Sequence, residues 1–287
     1  MLGAIQQMED FSMILRTLVS LFLIAAGTAA VAQDAQREII PVKGDVYLFR
    51  NNFHQSLIVA TPVGTVRVDP INAEASAWLN ENLGEITDQP VTHLIYSHSH
   101  LDHASGGSAH EGAQVIAHQN APEAIDGVAP DLRVGDSHML ELGGKTIELT
   151  YLGPGHGEDM LAVVVRPENV GFIVDVAAPK RLPYRNMGGA NLDDWIGQIK
   201  NAMALDFEVF APGHGPIGTH DDLAEHLGYF EALRAGVLEG LEAGKSVEEI
   251  QAELTLDDYK DWLQYEDWRA LNIEGMASYL TSAGIAN

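Results

Sequence analysis

His98-Ser99-His100-Leu101-Asp102-His103 packs three imidazoles and one carboxylate into six residues. It directly follows Val91–Tyr96, an apolar, β-branched stretch that predicts a strand. In extended backbone alternate side chains share a side, so His98 and His100 point the same way and can grip one cation together. Asp102 and His103 fall where the chain turns and can reach a second cation nearby. Imidazole and carboxylate donors suit zinc, iron or manganese. The 287 residues include no cysteine, which excludes thiolate ligands and disulfides and leaves nitrogen and oxygen to do any ligation.

Three further segments supply the same chemistry at other strand ends. Gly153-Pro154-Gly155-His156-Gly157 places a histidine in a glycine-rich loop after a strand, and Ala211-Pro212-Gly213-His214-Gly215 does so again. Phe172-Ile173-Val174-Asp175 ends an apolar strand on a carboxylate. Any one of these alone reads as a surface or capping residue; four strand-end sites with one chemistry read as a metal centre. The order of the motifs resembles the metallo-β-lactamase superfamily, over roughly residues 45–220. The resemblance implies an α/β (α+β) fold, a four-layer αββα sandwich with the metals at one edge of the sheets. It matches His98, His100 and His156 to a first metal site, and Asp102, Asp175 and His214 to a second. His103 matches a second-site ligand found in some branches only. Asp69, in Val68-Asp69-Pro70, matches an acid that supports a metal ligand. Two zinc ions are implied, with iron or manganese admitted by the oxygen-rich donor set.

Outward from these motifs the chain alternates elements. Strands are expected at Val46–Phe49, Leu57–Ala60, Thr65–Val68, Gln114–Ala117, Thr146–Leu149, Leu161–Val165, Gly171–Val174 and Phe207–Phe210. Helices are expected at Ala73–Leu83, Leu192–Ala204 and Asp221–Ala243, with a capping box at Ser246 and Glu249 and a last helix from Asn272 to Leu280. The division expected is a signal peptide at 1–32, a metallo-β-lactamase-fold domain at 33–236, and a helical C-terminal extension at 237–287 on the same core. The signal rests on Arg16, the apolar run Leu18–Ala26 and the cleavage site Ala30-Val31-Ala32, and it implies a periplasmic or secreted protein.

Forty-one acids against 16 bases give a formal charge of −25, which repels nucleic acid and anionic membranes. The partner expected is a small-molecule substrate, with no membrane contact after signal cleavage and no protein partner implied. Within the superfamily, export favours a β-lactamase and a role in antibiotic resistance. So does the segment Arg185–Trp195, which resembles a stretch of the first β-lactamase subclass and places Asn186 where an amide can donate to a developing oxyanion. The 19 residues from His156 to Asp175 also fit that subclass. Lys180 and Arg181 resemble, at shifted spacing, a lysine that binds the substrate carboxylate. The resemblance implies that Asp102 orients a metal-activated water that opens the β-lactam ring. Asp175 departs from the pattern, because that subclass has cysteine there; aspartate resembles lactonases and glyoxalase-type thioester hydrolases, in which the carboxylate bridges both metals. Those hydrolases are the alternative reading, and a non-catalytic zinc-binding protein with a closed site is the alternative of another class. His54 is read as lining the pocket mouth. His93, His110, His118, His138, His220 and His226 are read as surface or supporting groups.

Overall fold

The computed structural model describes residues 35–286, so the signal expected at 1–32 lies outside the described residues. Among the described residues thirteen strands run β1 (Arg37–Lys43), β2 (Val46–Asn51), β3 (His54–Thr61), β4 (Gly64–Val68), β5 (Val91–Ile95), β6 (Gln114–His118), β7 (Leu132–Val134), β8 (Ser137–Leu142), β9 (Lys145–Tyr151), β10 (Leu161–Arg166), β11 (Val170–Ile173), β12 (Val209–Pro212) and β13 (Gly218–Thr219). The helices are α1 (Ala73–Asn82), α2 (Leu192–Met203), α3 (Asp221–Glu242), α4 (Val247–Glu253) and α5 (Tyr265–Ser282), with a single turn at Leu101–Ala104.

Seven strands form one sheet in the order β1 to β7, and six form the other in the order β13-β12-β11-β10-β9-β8. Period-two alternation decides the layers. Leu48, Leu57 and Val59 face inward and meet Leu149, Val163 and Phe172 of the second sheet. Phe49 and Ile58, one residue out of phase, face outward and are covered by Ala75 and Leu79 of α1. The outer face of the second sheet packs Ile173 and Phe210 against Trp195, Phe230, Ile273 and Met276 of α2, α3 and α5. The result is the four-layer αββα sandwich with C-terminal helices. The boundary expected at 236/237 falls inside α3, and α5 shares a single apolar cluster with α2 and the sheet.

Strand directions gather the ligand loops. β4 and β5 are parallel, with Val68 beside Ile95, so Asp69 and His98 emerge at the same edge. β3 is antiparallel to β4, which brings its first residue, His54, to that edge. In the second sheet β11 and β12 are parallel, with Ile173 beside Pro212, so Asp175 and His214 emerge together. Leu161 pairs with Tyr151 across β9 and β10, so the His156 loop closes that end as well.

The sequence expectation misses β1, β7, β8 and the two-residue β13. β1 contains Pro41 and a bulge, β7 is three residues long, and β8 alternates exposed and half-buried residues at the sheet edge. Edge positions carry weak apolar signals. The strand expected at Phe207–Phe210 starts two residues later, because the Phe207 ring wedges under Gly171, where a Cβ would lie 2.6 Å from it.

His226 of α3 makes the fold acid-sensitive. It is buried, stacked on Trp262 at 6.0 Å between centroids, and burial holds its pKa down at about 4 against a hydrogen bond to the Ala178 backbone. The unfolded chain takes up this proton near pH 6.5, so stability falls as pH drops from about 6.5 to about 4, at about 1.4 kcal/mol per pH unit. Between pH 7 and pH 5 the parent should therefore lose ~2 kcal/mol more than His226→Phe in denaturant titrations. Equal losses in the two proteins would show that folding does not shift the titration of His226.

Candidate metal centre

The first ligand is fixed by a relay. Asp69 accepts Ser97 N–H at 2.7 Å on one oxygen and Ser97 Oγ–H at 2.6 Å on the other. With its proton given to Asp69, Ser97 Oγ accepts from His98 Nδ1 at 3.0 Å. That assigns the His98 proton to Nδ1 and leaves Nε2 as a lone pair, buried and with no hydrogen-bond partner. His100 Nδ1 lies 3.1 Å from His156 Nε2. The His156 loop is stapled by fully buried Gln198, which accepts His156 N–H at 2.8 Å and donates to the carbonyls of Gly153 and Gly157. Only glycine fits at 155, where a Cβ would fall 2.8 Å from the Trp195 backbone.

The second cluster draws on both sheets. His214 donates from Nδ1 to Phe53 O at 2.5 Å, which frees its Nε2 to face His103 Nε2 at 3.0 Å. His54 Nε2 stands 3.3 Å from Asp102 Oδ2. Asp175, at a backbone φ of 60°, lies between the two clusters. Its Oδ1 is 3.1 Å from His214 and 3.4 Å from His103; its Oδ2 is 3.3 Å from His156 and 3.6 Å from His98. Two sets of converging donor atoms result, His98–His100–His156–Asp175 and His54–Asp102–His103–His214.

The donors fit a metal pair. Two nitrogens on one tetrahedral zinc lie about 3.3 Å apart, given bonds of roughly 2.0–2.1 Å. The facing imidazole nitrogens at 3.1 and 3.0 Å match that spacing, and the buried lone pair of His98 has no other use in the fold. Burial, reinforced by neighbouring imidazoles, keeps His98 and His100 neutral by pushing their pKa values down. Burial opposes ionisation of Asp175, but His103 and His214 outweigh it and hold the carboxyl well below its usual range. The hydrogen bond from His54 does the same for Asp102, the half-exposed carboxylate of the set. These are the forms that ligate metals; His103 differs, because its burial is outweighed by Asp175 and neighbouring carboxylates, which raise its pKa to about 9, so a metal would have to displace its proton.

The residues expected to bind substrate separate. Lys180 is ion-paired with Glu225 and lies over the Trp262 ring, so its charge is spent on α3. Asn186 caps its own turn, its side-chain oxygen accepting Gly188 N–H at 3.3 Å, and its backbone is pressed against Gly275 of α5. The Asn186 side-chain oxygen thus serves a turn, and Asn272 of α5 pins the backbone just before it at the carbonyls of Pro183 and Arg185. Arg181 behaves otherwise. Its side chain runs beside Gly215, its charge is felt by both Asp175 and His214, and no carboxylate pairs with it among the described residues. The guanidinium lies 5.1 Å over the Trp268 ring of α5.

Sequence reading underrates His54 and misses Ser97 and Gln198. The signal for His54 was its position as the first residue of β3 after the Asn52-Phe53 tip, antiparallel to the strand that ends at Asp69. Nothing local marks Ser97 or Gln198.

No family model matches the chain. It is 26% identical over 219 residues to the 2,4-dinitroanisole O-demethylase subunit alpha of Nocardioides sp., covering 72% of this chain and 66% of that protein. It is 27% identical over 179 residues to the type 2 metallo-β-lactamase of a Bacillus sp., covering 56% of this chain and 66% of that one. The chain thus spans just under two thirds of the length of these relatives. Among solved structures, a metallo-β-lactamase from Pontibacter korlensis superposes with a TM-score of 0.58 at 23% identity, covering 68% of this chain and 99% of that one. A double mutant of the sec-alkyl sulfatase PisA1 superposes with a TM-score of 0.66 at 17% identity, covering 86% and 50%. The chain has the fold of the metallo-β-lactamase superfamily, and its sequence is similar to three of its β-lactamases at 25–27% identity. Within it the protein has B1-like β-lactamase homologues, yet it builds both metal clusters from histidine and aspartate with no cysteine.

Proposed function

We propose that this protein is a dinuclear zinc hydrolase that cleaves a carbon–oxygen bond, of lactone, ester or aryl ether type, in a small substrate bearing an anionic group. The observation that carries this reading is the position of Asp175, with one carboxylate oxygen toward each cluster. When bound, the metal pair supplies Lewis acidity and a water-derived nucleophile at neutral pH. The chain's own residues do the rest. Asp102, kept ionised by His54 and open to solvent on one side, is placed to orient a water by accepting its hydrogen bond. Arg181 takes the anionic group. Phe53, which is 71% exposed at the β2–β3 tip, and exposed Leu101 and Ile217 form an apolar rim beside the ligand loops. The relative named for O-demethylation of 2,4-dinitroanisole, an aryl methyl ether, supports carbon–oxygen cleavage.

Opening of a β-lactam ring is the second reading, favoured by three β-lactamase relatives at 25–27% identity. The engagement of Lys180 and Asn186 elsewhere weighs against it. A half-exposed Asp102 also distinguishes the centre from a closed structural zinc site. Export to the periplasm or medium, and any part in antibiotic resistance, rest on residues 1–32 alone. The charge of −25 supports a small-molecule partner over nucleic acid. The test is a panel of penicillins, cephalosporins, carbapenems, lactones, aryl esters, thioesters and aryl methyl ethers, run on zinc-loaded protein. One carbon–oxygen substrate should exceed every β-lactam by roughly 100-fold in kcat/KM, equivalent to about 2.7 kcal/mol in the barrier. The opposite ranking would replace this reading with the β-lactamase one.

A further inference from the structure

Arg67 is fully buried in β4, and no carboxylate lies within ion-pair distance of it among the described residues. A strand position facing α1 is ordinarily apolar, and an aliphatic side chain there would avoid the cost of burying a charge. Its hydrogen bonds show where the guanidinium acts. One terminal nitrogen donates to Pro70 O at 2.7 Å; the other donates to Ser76 Oγ at 3.1 Å and to His110 Nε2 at 2.7 Å. Nε donates to Ser56 Oγ at 3.1 Å, and Ser56 in turn donates to Val68 O at 2.8 Å. Ser76 donates to Pro70 O at 3.1 Å. The network therefore closes on the carbonyls of one short turn, residues 68–71.

That turn is strained. Asp69 has φ 63° and Ile71 has φ 70°, and a β-branched residue in the left-handed region persists only where its surroundings hold it. It also touches both clusters. The Asp69 carboxylate holds Ser97 and so orients His98, while Ile71 N donates to His103 O at 2.7 Å. We propose that Arg67 is a positioning residue, a buried clamp on the 68–71 turn that sets His98 of one cluster and His103 of the other. The inference rests on the clusters binding metal and is independent of the substrate.

The test compares Arg67→Met, Arg67→Lys and Ser76→Ala with Leu79→Ala, which opens the same apolar layer under α1 without removing a hydrogen bond to the turn. Zinc affinity by chelator competition, the cobalt(II) absorption spectrum, and melting of the metal-free protein are read for each. Arg67→Met should weaken zinc at both clusters by roughly 10–100-fold, the range for groups that orient metal ligands, and should alter the cobalt spectrum. Arg67→Lys keeps the charge but cannot span Pro70, Ser76 and Ser56 together, so most of the loss should remain. Ser76→Ala should show a smaller loss of the same kind, and keeps the test alive if Arg67→Met does not fold. Leu79→Ala should lower melting with affinity and spectrum unchanged. Unaltered affinity and spectrum in the Arg67 variants, or defects matched by Leu79→Ala, would overturn the clamp. A parent protein that binds neither zinc nor cobalt would overturn the metal centre itself.

Discussion

Asp175→Ala should strip metal from both clusters and lower turnover by ~100-fold or more. Groups that merely orient ligands already account for about 10–100-fold in affinity or activity. Asp175 does more, since its two oxygens face four imidazoles at 3.1–3.6 Å. Its removal leaves two mutually facing histidine sets without the anion between them. Asp175→Cys should fail to restore the pair, because a single sulfur cannot reach toward both sets as two carboxylate oxygens do. Metal analysis after desalting, with turnover alongside, checks both variants. Full occupancy of the three-histidine cluster in Asp175→Ala, or parent-like activity in Asp175→Cys, would show two independent sites and a β-lactamase-type arrangement.

Arg181→Ala should raise KM for an anionic substrate by roughly 10–100-fold, the loss of a charge-assisted contact of about 1.5–3 kcal/mol. A neutral analogue of the same substrate should change by no more than ~2-fold, since only the ionic contact is lost. Arg181→Lys should recover part of the loss, because lysine keeps the charge but not the flat stack on Trp268. Steady-state kinetics on the paired substrates decide the matter: equal losses on both would make Arg181 a structural support for the loop beside Gly215.

The metal centre was legible where its chemistry is local. The run from His98 to His103 carries its own geometry, and the loops around His156 and His214 carry glycines that only a tight approach requires. Direction was not legible. Lys180 and Asn186 lie at plausible offsets, but α3 and α5 capture them through Glu225 and Gly275, contacts that arise from sequence separations of 45 and 89 residues. His54 joins the second cluster only because β3 runs antiparallel to β4, which is a fact of topology. β2, β3 and β10 were legible as apolar runs buried along most of their length, while edge strands such as β8 left too few buried positions to be read.

The ligands are divided between the two sheets, while the rim is made of other material: a hairpin tip, the residue between His100 and Asp102, and the stretch just after His214. An ion tolerates only about 0.2 Å of drift in its bonds, so the strand ends that carry the ligands are held to one arrangement. The side chains of Phe53, Leu101 and Ile217 are under no such constraint. Mutation can therefore reshape what enters without disturbing what reacts. This separation explains how a chain can keep one set of ligands while the groups around them change.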